Sequence, residues 1–375
     1  MNILLAPDSY KGSLTSIQVA NTMERAILSL NNKAIVESKP MADGGEGTVD
    51  ALLSSVGGQQ VEVTCTGPLG EKINTYYAIL KDNTAVIEIA NIAGLIQVPQ
   101  AKRNPDMTTT YGLGEVISDA LDRGCTSFII GLGGSATNDG GLGLLQALGM
   151  KAWKRKGQAS GIFGKDLLDV TRVSFADIDP RLSRASIKVA CDVDNPLYGA
   201  NGASVVYGPQ KGTTDKQVPI YDNALANFSS VIENQLKKTF HDTEGAGAAG
   251  GLGFALLILG AELVSGAELV ADASFMKDAI KQADLIITGE GQSDEQTLYG
   301  KAPGYIADLA QFYEIPALLI SGSLAGDHNK LRSKFHGCFS AVTQPMTIDE
   351  CMKHAEKLLY NQTKQIVDFV YGMRK

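Results

Sequence analysis

Apolar positions along the chain change period several times, and each change marks an element. Residues 2–7 form a short apolar run ending in a Ser/Lys/Gly loop, which predicts a strand. Ile17, Ala20, Met23, Ile27 and Leu30 recur at helical spacing behind Thr15, a good N-cap, and predict a helix over 15–30. A short strand at 34–38, a polar loop and a helix over about 48–56 follow. Two strand-loop-helix units in a row predict a parallel sheet with sites at its strand C-terminal ends. Residues 61–65, 72–80 and 84–90 then read as successive strands without helices between them. A helix near 112–123, a buried strand at 127–131 and a glycine-rich turn into a helix over about 139–149 come next. Segments 186–191 and 203–207 look strand-like, 216–238 reads as an amphipathic helix, and a glycine cluster at 245–253 opens an apolar helix reaching about 260. The α/β rhythm returns with strands at 284–288, 317–321 and 339–343 and helices over about 302–312 and 349–371.

This order predicts an α/β fold in two parts. Residues 1–62 and 284–375 make a discontinuous Rossmann-like, three-layer domain with a parallel sheet, and 63–283 an inserted α+β domain. A ligand site is expected in a cleft between them. A length of 375 residues suits two domains, and 44% hydrophobic content describes an ordinary soluble protein. The net charge of -8, without a basic stripe, argues against nucleic acid. No apolar run approaches a membrane span, and Met1–Pro7 reads as a strand and not as a signal peptide. Five scattered cysteines and four histidines show no metal-ligand spacing, so a cytoplasmic protein with reduced thiols is expected.

Glycine- and acid-rich blocks carry the chemistry. Ser9, Lys11 and Gly12 precede a helix and combine a cation, a hydroxyl and backbone N–H groups, an arrangement suited to an anion. Asp43, Gly44, Gly45 and Glu46 pack two acids around two glycines; the plainer reading is an acidic first helical turn. Gly133, Gly134, Ser135, Thr137 and Asn138 can cradle phosphate, or simply turn a strand into a helix. Asp192 ends a strand and suits a base or metal ligand, although Asp194-Asn195-Pro196 also reads as an ordinary turn. Lys211 sits in a second glycine loop. Gly289, Glu290, Gly291 and Asp294 follow a strand, with Lys301 shortly after. Glycine amides combined with carboxylates suit phosphoryl transfer.

Familiar nucleotide fingerprints fail. Gly245–Gly250 matches G-x-G-x-x-G but follows a polar stretch, not a strand. Gly131–Ala136 follows a strand, yet Lys151 stands where an acid would read a ribose. No G-x-x-x-x-G-K-[ST] occurs. Gly131–Thr137 is similar to the phosphate loop of homoserine and mevalonate kinases, but their other blocks are missing.

Taken together, APDSYKGSLTS, ADGGEGTVDAL, GLGGSATNDGGLGLLQALG, ACDVDNPLYGANGA, GPQKG, GAGAAGGLGFAL and TGEGQSDEQTLYGKAP resemble the two-domain bacterial glycerate kinases. They run in order from residue 6 to 303; Tyr10 stands where that family usually has Phe. The resemblance implies transfer of phosphate from ATP, with Mg²⁺, to D-glycerate, generally giving 2-phosphoglycerate. Transfer to C3, or to another small hydroxy acid, is the alternative within that class. A nonenzymatic sugar-acid or nucleotide-binding regulator is the alternative outside it. On this reading Asp192, or otherwise Asp43, orients or deprotonates the hydroxyl. Lys11 and the loop amides offset phosphoryl charge, Glu290 or Asp294 helps hold Mg²⁺, and Lys211 or Lys11 meets the glycerate carboxylate. The small-molecule substrate is the expected partner, and a homo-oligomer is compatible with the sequence.

Overall fold

The computed structural model describes residues 1–373. The chain forms two compact units. One contains Met1–Asp43, Asp50–Gly57 and the chain from Ser265 onward; the other contains Gly44–Val49 and Gly58–Val264. In chain order the strands of the two main sheets are β1 (Asn2–Leu5), β2 (Ile35–Ser38), β3 (Gly58–Thr66), β4 (Lys72–Leu80), β5 (Thr84–Glu88), β6 (Ser127–Gly131), β7 (Ser186–Ala190), β8 (Glu262–Val264), β9 (Leu285–Thr288), β10 (Ala317–Ser321) and β11 (Gly337–Ser340).

The first unit carries a wholly parallel sheet in the order β11-β10-β9-β1-β2. Ile3 and Leu5 of β1, Leu285 and Ile287 of β9, and Leu318 and Ile320 of β10 share one core with Val19, Met23 and Ile27 of helix Ser16–Leu30 and Leu359, Ile366 and Val367 of helix Ala355–Met373. The alternate residues Leu4, Ile286 and Leu319 are equally buried. Strand side chains alternate between faces, so both faces of this sheet are covered. Helices Met276–Gln282 and Ala302–Phe312 pack on β1 and on β9 and β10. This is the three-layer α/β arrangement predicted by strands without polar alternation.

The second unit has a mixed sheet, β8-β7-β6-β5-β4-β3, parallel from β8 to β5 and antiparallel from β5 to β3. The successive strands read at 61–65, 72–80 and 84–90 are its antiparallel half, although the last ends at Glu88, where a short helix, Ile89–Ala93, begins. Its core gathers Phe128, Ile130, Leu144, Phe228 and Phe254 with many smaller aliphatic side chains.

Three local expectations need correction. Residues 203–207, read as strand-like, form a helix, Ala203–Tyr207. The apolar Val205 and Val206 that suggested a strand are exposed, while Ala203 and Ser204 are the buried pair, so a single helical turn and not a pleat satisfies the burial. The helix expected over 349–371 is two helices, Ile348–Lys353 and Ala355–Met373, interrupted at His354. The helix expected from about 139 begins at Leu142, because Gly140 and Gly141 take left-handed φ values of 62° and 72°.

At the C-terminal edge of the first sheet the backbone is tightly laced. Ala6 N donates to Ile287 O (2.9 Å), Asp8 N to Gly289 O (2.8 Å) and Met41 N to Pro7 O (2.8 Å). The buried Tyr10 hydroxyl donates to Ile320 O (2.7 Å). A Cβ on Gly289 would collide with that same Ile320 carbonyl oxygen. Gly289→Ala is therefore expected to destabilise the protein by about 1–3 kcal/mol, the usual cost of overpacking, read as a lower midpoint of urea unfolding with far-UV circular dichroism retained.

Candidate active site

In the first unit three loops leave neighbouring strands and bring acids and a lysine together. Asp8 follows β1, Asp43 follows β2 and Glu290 follows β9. Asp8 is buried, and its Oδ1 accepts the N–H of Ser9 at 2.6 Å. Burial pushes its carboxyl up to about 7, Asp43 adds to the shift, and Ser9 N–H and Lys11 oppose it. Lys11 Nζ lies 2.9 Å from Asp43 Oδ2 with its side chain mostly exposed. Asp43 also holds the Lys11 ammonium above its ordinary range. Exposed ion pairs contribute little stability, so this one matters for charge placement.

Glu290 is buried and well supported. Its Oε1 accepts the hydroxyls of Ser293 (3.1 Å) and Thr297 (2.6 Å), and Lys301 Nζ stands 3.5 Å from Oε2. Ser293 Oγ is also 2.7 Å from Ser321 Oγ at the end of β10. Asp294 is engaged differently. Its Oδ1 accepts Gln296 N (2.8 Å) and caps the turn Glu295–Leu298. Asp8 belongs to this group of charges, although the sequence pattern did not single it out from its block. A signal was there, since an acid soon after a buried parallel strand sits at a functional edge.

In the second unit the glycine blocks pack tightly. Gly133 N donates to Gly44 O (3.3 Å), and a Cβ on Gly133 would strike Gly45 Cα. Glu88, buried at the end of β5, accepts Gly47 N (3.3 Å) and Val49 N (2.6 Å) and so caps the start of helix Thr48–Val56. Glu46 is exposed. Of the turn after β6, Gly134 is exposed, whereas Ser135, Thr137 and Asn138 are buried with their side chains inside. Asn138 Nδ2 donates to Ser204 Oγ (3.0 Å). Asp139 is buried and accepts Thr110 N (2.9 Å), Thr110 Oγ1 (2.8 Å), Gly141 N (3.1 Å) and Gly143 N (3.3 Å). Burial nonetheless raises its carboxyl above the usual range. Lys211 is also buried, its Nζ donating to Ser135 Oγ (2.9 Å) and Thr137 O (2.8 Å). Asp192 is exposed just beyond β7, beside the strand that leads into the Gly133 turn.

The structure thus gathers Lys11, Asp43 and Glu290 in one unit with Ser9, Gly12, Gly289 and Gly291 in the same loops. It gathers Gly44, Gly45, Gly133, Ser135, Thr137, Asn138 and Lys211 in the other. Among the described residues no three His, Cys, Asp or Glu side chains are arranged to hold a metal ion. Mg²⁺ usually keeps several waters and binds through one or two carboxylates plus substrate phosphates, and the carboxylates of the first unit fit that mode and not an all-protein cage.

A family model described as "Glycerate kinase family" matches residues 3–371. The chain belongs to the glycerate kinase family. It is 43% identical over 371 residues to a glycerate kinase of Bacillus subtilis (strain 168), covering 98% of this chain and 97% of the relative. It is likewise 43% identical over 380 residues to the glycerate 2-kinase of Escherichia coli (strain K12), covering 100% of this chain and 99% of that one. A solved structure of a protein assigned as a glycerate kinase 2 from Salmonella typhimurium LT2 superposes with a TM-score of 0.91 at 40% identity, covering 100% of this chain and 99% of the other.

This glycerate kinase family member is an enzyme, and its acid group makes a pH-dependent signature. A carboxyl whose folded pKa lies above its unfolded value binds more protons when folded, so stability falls as pH rises from about 4 through 7. Asp8→Asn removes that titration. Its melting temperature is expected to gain on wild type steadily between pH 4 and pH 8, measured by scanning calorimetry at matched ionic strength; parallel curves for the two proteins would contradict the buried carboxyl.

Proposed function

We propose that this enzyme transfers the γ-phosphoryl group of ATP to the C2 hydroxyl of D-glycerate, giving ADP and 2-phosphoglycerate. The observation that carries the reading is the Asp8, Lys11, Asp43 and Glu290 group at the C-terminal edge of a parallel sheet, where α/β proteins place ligands. The glycerate acceptor and the C2 position are supported by the relative named glycerate 2-kinase, which matches along its whole length.

The hydroxyl proton passes to a carboxylate, with Asp192 the first choice and Asp43 the second. The freed oxygen bonds to the γ-phosphorus as the bond to the β,γ-bridging oxygen breaks, and ADP departs with that electron pair. Lys11, cationic and exposed, offsets charge on the transferring group and suits the glycerate carboxylate equally. Mg²⁺, when bound, supplies charge neutralisation at the phosphate oxygens. Glu290 is the stronger candidate to hold it, because Asp294 is already committed to a turn. Lys211, buried among protein acceptors, is less suited to a substrate carboxylate than Lys11. We place the enzyme in the cytoplasm with a small-molecule substrate.

The test couples ATP, Mg²⁺ and D-glycerate turnover to enolase, with and without phosphoglycerate mutase. Signal without the mutase is expected; signal only with it would move the phosphate to C3, and none in either would remove glycerate as the acceptor. In the same assay Asp192→Asn is expected to lower kcat by about 10²–10⁴-fold, the usual contribution of a general base, with KM changed little. If Asp43→Asn shows that loss instead and Asp192→Asn keeps near-normal kcat, the base is Asp43.

A further inference from the structure

The second unit contains a buried lysine that the reaction as described does not use. Lys211 lies in a short turn, Pro209–Lys211, ended by Gly212 at a left-handed φ of 88°. Only 2% of the residue is exposed. Burying an ammonium is costly, and an unbranched apolar side chain would fill the same space without that cost. The amine is spent on two hydrogen bonds, to Ser135 Oγ and to Thr137 O, which sit two residues apart in the turn after β6.

The same turn is held from its other side. Ala249, Gly250 and Gly251 run at left-handed φ values of 52°, 74° and 88°, and Gly250 O accepts Gly140 N at 3.0 Å. A Cβ on Gly250 would collide with the Thr137 carbonyl oxygen that Lys211 holds. Thr137 Oγ1, Asn138 Oδ1 and Thr213 Oγ1 are buried without a hydrogen-bond partner, while Asn138 is held through its Nδ2 by Ser204 Oγ. Burial pushes the Lys211 ammonium down to about 7, with Asp139 acting in the opposite direction. A neutral amine has two N–H donors, and two acceptors are present.

We propose that Lys211 is a positioning residue: its amine ties Ser135 and Thr137 together and so fixes the Gly133–Gly134 edge of the turn, exposed at Gly134, for the transferring phosphoryl group. It touches no ligand itself. The kinetic part of this inference rests on the phosphoryl-transfer reading; the structural part does not.

Hydrogen exchange read by mass spectrometry on the full chain, together with steady-state kinetics, tests it in wild type, Lys211→Met and Ser135→Ala. In Lys211→Met, exchange of peptides covering 132–141 is expected to rise at least tenfold while peptides from β1 and β9 keep wild-type rates. Its kcat is expected to fall at least tenfold, with KM for D-glycerate within threefold of wild type. A folded Lys211→Met with exchange in that segment or kcat within twofold of wild type would overturn the proposal, as would exchange that rises evenly over the whole chain. Should Lys211→Met fail to fold, Ser135→Ala decides. Loss of one acceptor is expected to raise exchange in the same segment at least threefold, and unchanged exchange sinks the idea. If wild type does not turn over D-glycerate, the functional reading falls while the exchange measurement still judges the clamp.

Discussion

Much of the first unit hangs on one carbonyl oxygen. Ile320 O, at the end of β10, receives the Tyr10 hydroxyl and leaves no room for a Cβ on Gly289. Gly289 in turn offers its carbonyl to Asp8 N. One close approach of backbone to backbone therefore sets the height at which the loops after β1, β9 and β10 leave the sheet. Asp8 owes its burial to that lacing, and Glu290 is the next residue along the same strand exit. A buried carboxyl beside two other acids is an unfavourable arrangement in isolation. It persists because the backbone around it is over-determined, which is how functional edges commonly hold charges that folding alone would not choose.

Much of this was legible in the chain. Apolar runs without alternation, such as Leu285–Thr288 and Ala317–Ser321, can be buried only when both faces are covered, and they are. The β-branched and aromatic stretch Lys72–Leu80 likewise reads as a strand, and the structure pairs it antiparallel with β3. Ala203–Tyr207 was not legible, because two valines mimic a strand in one dimension. Only the tertiary position of Ser204, hydrogen-bonded to Asn138, shows which side of the turn is inside.

The candidate site divides in the same way. Residue types and spacing find the loops, since glycine, lysine and acids mark them directly. They do not tell an inward side chain from an outward one. Ser135, Thr137 and Asn138 look like phosphate contacts in sequence, yet their side chains serve the interior. Lys211 looks like a substrate cation, yet its amine is buried among protein acceptors. Asp8 was hidden in the opposite sense, because its neighbour Lys11 is the more conspicuous charge while burial, which no local pattern reports, gave the acid its unusual proton affinity.

The central place of β1 has a consequence for how the protein is made. Its partners are β2, nearby in sequence, and β9, whose residues lie more than 280 positions later, as Ile3 pairs with Leu285. During synthesis at about 5–20 residues per second, β1 waits roughly 15–55 s before β9 exists. Through that interval the N-terminal strand has one open edge and lacks the late helices Met276–Gln282 and Ala355–Met373, a state prone to mispairing. The intervening unit, Gly58–Val264, has its own core and all its strand partners within that stretch. Its early closure would shorten the effective loop that β1 and β9 must close.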